Sequence, residues 1–177
     1  MKKFISTFIM MVVCASMFAG NPFKIKEGKQ NAKSLMKENA IAVVEYDWSG
    51  AMYDRKMPAK NKFEADYEFV VSNCESSFVT GFNGESKGLR LSNEANENAK
   101  YKITLKVTNL DSFFAAMRFV PRHEAKMWGM ITVTSIATGE KVLEATIDEA
   151  EDGCDMVWRE CFGKTFAEMG KNLTKLK

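Results

Sequence analysis

The sequence has one histidine, three prolines and four cysteines among 177 residues. A single His123 rules out a polyhistidine metal cage and deprives acid–base catalysis near neutral pH of its usual side chain. With 3 Pro and 11 Gly the chain is neither collagen-like nor a flexible low-complexity segment. No Cys-x-x-Cys pair occurs, so zinc and thioredoxin-type chemistry have no residues to work with. A glycine-rich phosphate loop is missing as well, and nothing in the sequence implies a cofactor. Internal repeats are lacking, and no apolar run approaches the roughly 20 residues of a spanning helix. What the chain does have is 46% hydrophobic and 27% charged residues, the composition of a chain that buries a core.

Residues 1–20, MKKFISTFIMMVVCASMFAG, place two lysines before an apolar stretch from Phe8 to Val13 and then the small residues Ala15, Ser16, Ala19 and Gly20. That is the layout of a secretory signal peptide cut after Ala19 or Gly20. A lipoprotein signal would need a small residue before Cys14, where Val13 stands, so no lipid anchor is expected. The expected mature chain is an exported, periplasmic or secreted protein of about 157 residues, without a transmembrane span. Losing Lys2 and Lys3 takes the 25 bases to 23, equal to the 23 acids. A neutral exported chain lacks the basic excess that nucleic-acid binding needs.

Residues 21–40 carry five lysines and little apolar periodicity and are expected to be an exposed leader, with a single domain over 41–177. Ile41 to Trp48 is a β-prone run closed by Ser49-Gly50. Phe63, Tyr67, Val70, Val71, Cys74, Phe78 and Phe82 recur at steps of one, three and four, which predicts a helix stopped by Asn83-Gly84. Leu89 and Leu91 mark a brief strand. Tyr101, Ile103, Leu105 and Val107 alternate with polar residues, which predicts a strand with one wet face. Trp128 to Ile136 and Lys141 to Asp148 read as a hairpin turning at Ala137-Thr-Gly-Glu140. Trp158, Phe162, Phe166, Met169, Leu173 and Leu176 trace a terminal helix, with Asp152 and Asp155 in capping positions. The expected fold is α/β (α+β): a two-layer sandwich of about four to five mixed strands with two amphipathic helices on one face.

The signal peptide, the first strand AIAVVEYDWS, the segment Met117-Arg118-Phe119-Val120 and the stretch ITVTSIATGEKV together resemble the periplasmic α/β domains of outer-membrane assembly lipoproteins, of the curli secretion channel and penicillin-binding-protein activator type. The resemblance runs over residues 41–177 and implies a strand, Thr-Gly turn and strand at the last of these stretches. It implies no catalytic residues. Channel members carry membrane-inserting hairpins, each with two strands of roughly 9 to 11 residues. The connector here, Asp111 to Lys126, has one apolar patch and holds Arg118, Pro121 and Arg122, so no pore is expected.

His123, beside Pro121 and Arg122, is expected in an exposed loop. Removal of residues 1–20 leaves Cys74, Cys154 and Cys161, an odd number in an oxidising compartment. If both are helical, Cys154 and Cys161 lie about 10 Å apart along the axis, beyond disulfide reach. Cys74 with Cys161 stays open, and small buried thiols are the plainer reading. Asp148, Glu149, Glu151, Asp152 and Asp155 resemble a calcium loop until Ala150 and Arg159 occupy ligand positions, so an acidic loop before a helix is expected and no metal.

The remaining candidate site is the turn after the first strand: Asp47, Trp48, Tyr53, Asp54 and Arg55. Loops at the carboxyl ends of strands border ligand crevices. Trp48 and Tyr53 are able to stack on a sugar or peptide, while the charged groups bind polar substituents. The sequence therefore points to a non-enzymatic binding or assembly module at the cell envelope, with an envelope protein or glycan as partner. Two alternatives stay open: a small hydrolase using Asp47 and Asp54 as a carboxylate pair, and a carbohydrate-binding module using Trp48 and Tyr53.

Overall fold

The computed structural model describes residues 21–117, 120–154 and 158–177. The expected signal peptide, Cys14, Arg118, Phe119 and Asp155 lie outside them. In chain order come β1 (Phe23–Glu27), α1 (Lys29–Lys37), β2 (Ile41–Asp47), β3 (Met52–Tyr53), β4 (Met57–Pro58), α2 (Ala59–Phe63), a 3-10 turn and α3 (Tyr67–Glu85). There follow β5 (Arg90–Ser92), β6 (Ala99–Met117), β7 (Val120–Ser135), β8 (Lys141–Cys154) and α4 (Trp158–Leu173). The sheet has eight strands with the main order β1-β8-β7-β6-β2-β5, so it is larger than the four to five expected. It is mixed: β2 runs parallel to β5 and β6, while β6, β7, β8 and β1 are successively antiparallel.

Part of that excess comes from residues 21–40, which are no free leader. Phe23 pairs with Ile147 at the β8 edge. In α1 the residues Ala32, Leu35 and Met36 are buried, an i, i+3, i+4 stripe hidden among lysines. The two-residue strands β3 and β4 supply the rest of the number, and two long strands extend the sheet further. Where a connector was expected at Asp111–Lys126, β6 runs on for 19 residues and β7 for 16, with Phe113 paired to Glu124 and Phe114 to His123. His123 accordingly sits in a strand and not in a loop. Likewise Asp148 to Cys154 continue β8 where an acidic loop was expected.

The helix-facing side carries Ile103, Leu105 and Val107 of β6, Ile131 and Val133 of β7, and Leu143, Ala145 and Ile147 of β8, all buried. The opposite side is wet and ion-paired, with Lys102 on Glu45 and Lys106 on Asp47. Both predicted helices lie on the covered side: Phe78 of α3 meets the Tyr46 ring, and Phe166 of α4 stacks on Trp48. The α3 helix starts at Tyr67 and runs through Asn83-Gly84 to Glu85, because the chain holds helical geometry until Ser86 turns extended. The turn at Ala137–Glu140 forms as expected, with Gly139 at φ 71°, where glycine alone escapes steric strain.

The cysteines differ from expectation. Cys74 is a buried free thiol, although α3 and α4 are neighbours, and Cys161 is disulfide-bonded. The Cys74–Cys161 bridge left open above is therefore not made, and the reading of small buried thiols holds for Cys74 and not for Cys161. The helical spacing argued for Cys154 and Cys161 also lapses, since Cys154 ends a strand and α4 begins only at Trp158.

Two of the β-bulges in the long strands lie at one level of the sheet. On β6 the pairing to β7 shifts between Val107 and Asn109, and on β8 it shifts opposite Met127 and Gly129. Each inserts one residue, bends the strand and swaps which side chains face the helices. Glu149, at φ 54°, lies in the β8 bulge. Both bulges flank Gly129 of β7, where an added Cβ would stand 2.3 Å from the Lys106 carbonyl oxygen. Past this point β6, β7 and β8 go on as a three-stranded ribbon.

Candidate functional site

The expected turn does not form one site. Asp47, ending β2, accepts hydrogen bonds from the Ser49 hydroxyl (2.6 Å) and amide (3.0 Å) and pairs with Lys106 at 3.5 Å. The Ser49 hydroxyl first, then its amide and Lys106, hold the Asp47 carboxyl below its usual range. A general acid needs the opposite shift. Asp54 sits in a tight β3–β4 turn, with Asp54 and Arg55 both at positive φ, and pairs with Lys56 at 2.5 Å. Each carboxylate is thus committed to separate local cations.

The two aromatic residues are turned inward. Trp48 packs against the core, stacked on Phe166 at 5.7 Å with 15° between the rings. Its indole N–H donates to the Glu75 carboxylate at 2.9 Å. Burial pushes the Glu75 carboxyl up, the Trp48 hydrogen bond opposing it. Tyr53 meets Phe63 edge-on at 5.9 Å, its hydroxyl lies 2.8 Å from the Ser112 hydroxyl, and Lys62 covers its ring at 5.0 Å. These contacts use the faces on which a sugar would stack.

The function of the turn in the fold is to clamp the β6 bulge. Here β3 pairs with Asn109 and Leu110, the Asp54 amide donates to the Leu110 carbonyl, and the Arg55 amide donates to the Asn109 side chain at 2.8 Å. Asn109 is buried, so this bond satisfies a polar group that water does not reach. The Arg55 guanidinium continues onto the Trp128 ring, 5.5 Å from its centroid.

The clamp stops at Ser112, and beyond it lies what sequence reasoning missed. Phe113 is 40% and Phe114 58% exposed, among the few large apolar side chains left in water. Phe113 lies under the Lys126 ammonium at 5.1 Å, and Phe114 meets His123 edge-on at 5.3 Å. Adjacent strand residues point to opposite faces, so the ribbon presents an aromatic on each side. Among the described residues no strand pairs with the outer edge of β6 past Leu110. The other outer edge, on β8 past Ile147, also lacks a paired strand among the described residues but carries Glu149, Glu151 and Asp152. Lys126 is ion-paired to Glu149 (2.5 Å) and Glu151 (3.2 Å), which hold its ammonium pKa above the ordinary lysine value. Charges guard one edge and leave the other apolar. The signal was in the sequence: Phe113 to Met117 is an uncharged apolar run inside a chain otherwise rich in charge.

No protein-family model matches the chain, and no curated protein does. Similar solved structures include two of PelC dodecamers from Paraburkholderia phytofirmans. One, of a point-substituted form, is 16% identical, with 79% of this chain and 91% of that chain covered and a TM-score of 0.38. The second is 13% identical, with 76% and 88% covered and a TM-score of 0.39. A neuraminyllactose-binding hemagglutinin homolog from Helicobacter pylori is 11% identical, with 78% and 86% covered and a TM-score of 0.33. At these scores the likeness carries no argument about this chain.

Proposed function

We propose that the protein is an exported, non-enzymatic binding or assembly module of the cell envelope, which engages a partner protein through the far end of the β6–β7–β8 ribbon. The observation that carries this reading is Phe113 and Phe114, exposed on opposite faces of a strand whose outer edge is unpaired among the described residues. An apolar, uncharged strand edge is the template on which an extended segment of another chain adds by main-chain hydrogen bonds, its side chains seating beside the aromatics. The commitment of Asp47 and Asp54 to local cations supports a role without hydrolysis. The inward packing of Trp48 and Tyr53 argues against those rings as a glycan platform. The resemblance to outer-membrane assembly lipoproteins implies the same kind of work.

A photo-crosslinking residue at position 114, compared with one at Thr104 on the wet sheet face, tests the reading in intact cells. The expected result is a discrete crosslinked protein band from position 114, absent from position 104 and lost when Phe113→Ser is added. Equal yields from both positions, or none from position 114, overturn it.

A further inference from the structure

The end of the molecule opposite the ribbon has a different chemistry. Three helices finish there: α1 at Lys37, α3 at Glu85 and α4 at Leu173. Between them lies a cavity of about 370 Å³ ringed by Lys33, Lys37, Lys87, Lys175 and Lys177, with the buried Met36 and Leu176 as its apolar floor. Lysines at helix C-termini have an ordinary explanation, because the helix dipole attracts them. Magnitudes decide against that as the full account. Three C-termini supply roughly 1.5 negative charges, and Glu85 one more, against five lysines. An excess of positive charge remains.

The helix α1 shows the excess more clearly. Its sequence, KQNAKSLMK, has no acid, and Lys29, Lys33 and Lys37 recur every fourth residue along one exposed face. Like charges at this spacing repel, and Lys29 stands in the first turn, where the dipole disfavours a cation. Local stability would select acids here. Several lysines elsewhere are matched, Lys24 with Asp148, Lys100 with Glu38, Lys102 with Glu45, Lys106 with Asp47 and Lys141 with Glu144, while Lys26, Lys60 and Lys62 are scattered singly or in a pair without an ion-pair partner among the described residues. Lys29, Lys33, Lys37, Lys87 and Lys177 have no ion-pair partner among the described residues.

We propose that this lysine face docks on an anionic lipid surface. The Lys29–Lys37 stripe is about 12 Å long, and with Lys87, Lys175 and Lys177 it spreads charge over an area wider than one small anion. Directional donors are scarce. The Ser86 and Thr174 hydroxyls at the rim already donate to the Leu89 and Lys171 carbonyls, and the cavity holds no arginine fork. Such a face recognises charge density and not a particular shape, as a bilayer requires. The helix α4 runs from this face to the ribbon, where Thr165 donates to the Ala125 carbonyl of β7. A chain docked by its lysines would hold the ribbon away from the membrane. This inference stands apart from the ribbon reading and survives its failure.

The test is co-sedimentation of residues 21–177 with vesicles of phosphatidylcholine alone or with 30% phosphatidylglycerol, at low salt and at 0.5 M NaCl. Binding is expected only to the anionic vesicles, and it is expected to weaken with salt. Removing one lysine costs about fivefold in affinity, so Lys33→Gln/Lys37→Gln/Lys87→Gln should lose roughly a hundredfold. A control with the same loss of charge, Lys56→Gln/Lys60→Gln/Lys62→Gln, sits at the other end of α3 and should bind as the parent does. Circular dichroism checks that each variant is folded. The proposal is overturned by equal loss in both triple variants, by equal binding to neutral vesicles, by no binding of the folded parent, or by capture of soluble polyphosphate with vesicles ignored.

Discussion

Replacing Gly170 by alanine tests whether α3 and α4 owe their position to the absence of a side chain. The added Cβ would stand 2.3 Å from the Phe78 carbonyl oxygen and 2.8 Å from the Phe82 nitrogen. On the facing helix, a Cβ at Gly81 would stand 2.0 Å from the Ala167 carbonyl oxygen. Ordinary contact begins near 3.4 Å, so either change forces the two backbones about 1 Å apart, and backbone atoms have no rotamer by which to yield. Alanine gains about 1 kcal/mol of helix propensity over glycine. Overpacking costs about 1–3 kcal/mol, and here the upper end applies, because parting the helices also loosens the fully buried Phe78, Phe82, Phe162 and Phe166. The net is a loss of about 2 kcal/mol, a fall in Tm of roughly 4–8 °C for a chain this size.

Two further glycines calibrate the result. Nothing lies within 4 Å of a Cβ at Gly84 in the same helix, so Gly84→Ala should gain up to about 1 kcal/mol. At Gly163 the obstacle is the Asn73 side chain, which is able to swing aside, so that variant should fall between. Urea unfolding followed by tryptophan fluorescence gives all of these on one scale. If Gly170→Ala proves as stable as the parent, or Gly84→Ala loses more than Gly170→Ala, the close-crossing argument fails.

Four other outcomes follow from the packing. Trp48→Ala should cost about 2–3 kcal/mol, less than the roughly 3–5 of a fully buried aromatic, since its ring covers Phe166; a chemical melt that matches the parent contradicts the core-capping role. Because burial raises the Glu75 carboxyl in the fold, its contribution favours folding most below the unfolded value near 4.3 and is lost as pH rises through the folded value. Glu75→Gln, which still accepts from Trp48, should therefore raise Tm by about 1–2 °C at pH 7, kept small by solvent around a partly buried group, and not at pH 3.5. An equal change at both values would show that the carboxylate charge is not involved. Gly129→Ala should open the β6–β7 pairing at the bulge, at a cost of about 2 kcal/mol, visible as faster amide exchange in residues 110–117 than in 101–106. Peptide mapping under non-reducing conditions should leave the Cys74 peptide unlinked and find Cys161 in a disulfide, with Cys154 the remaining cysteine of a chain lacking residues 1–20. A Cys74–Cys161 crosslinked peptide would contradict the structure.

Where the periodicity of the sequence kept its phase, the fold was legible. Ile103, Leu105 and Val107 alternate without a break, and the stripe Phe162, Phe166, Met169 and Leu173 keeps its helical step, so strand and helix were both expected where they lie. The leader escaped because α1 is only nine residues long and its three buried side chains sit among lysines placed for the outer face. The candidate turn was located correctly as a turn, but the sequence has no way to show that Trp48 points at Phe166 and not at solvent. That direction is set by α4, more than a hundred residues away.

The long strands failed for a more specific reason, one that bears on the ribbon. On β6 the inward residues are Ile103, Leu105 and Val107, then Leu110; on β8 they are Leu143, Ala145 and Ile147, then Ala150. Both patterns slip by one residue at the same level, because each strand carries a bulge there. A one-residue slip turns a perfect alternation into apparent noise, so each continuation read as a loop. The central strand has no bulge of its own at that level: Ala125, Met127, Gly129, Ile131 and Val133 all face inward on one unbroken period of two. That unbroken run across the slip was the readable sign that the sheet continued. The bulges also explain why the continuation is available to a partner. They carry the three strands past the cover of α3 and past the reach of β1 and β2, so the same irregularity that hid the ribbon in the sequence leaves the β6 edge and Phe114 open at its end.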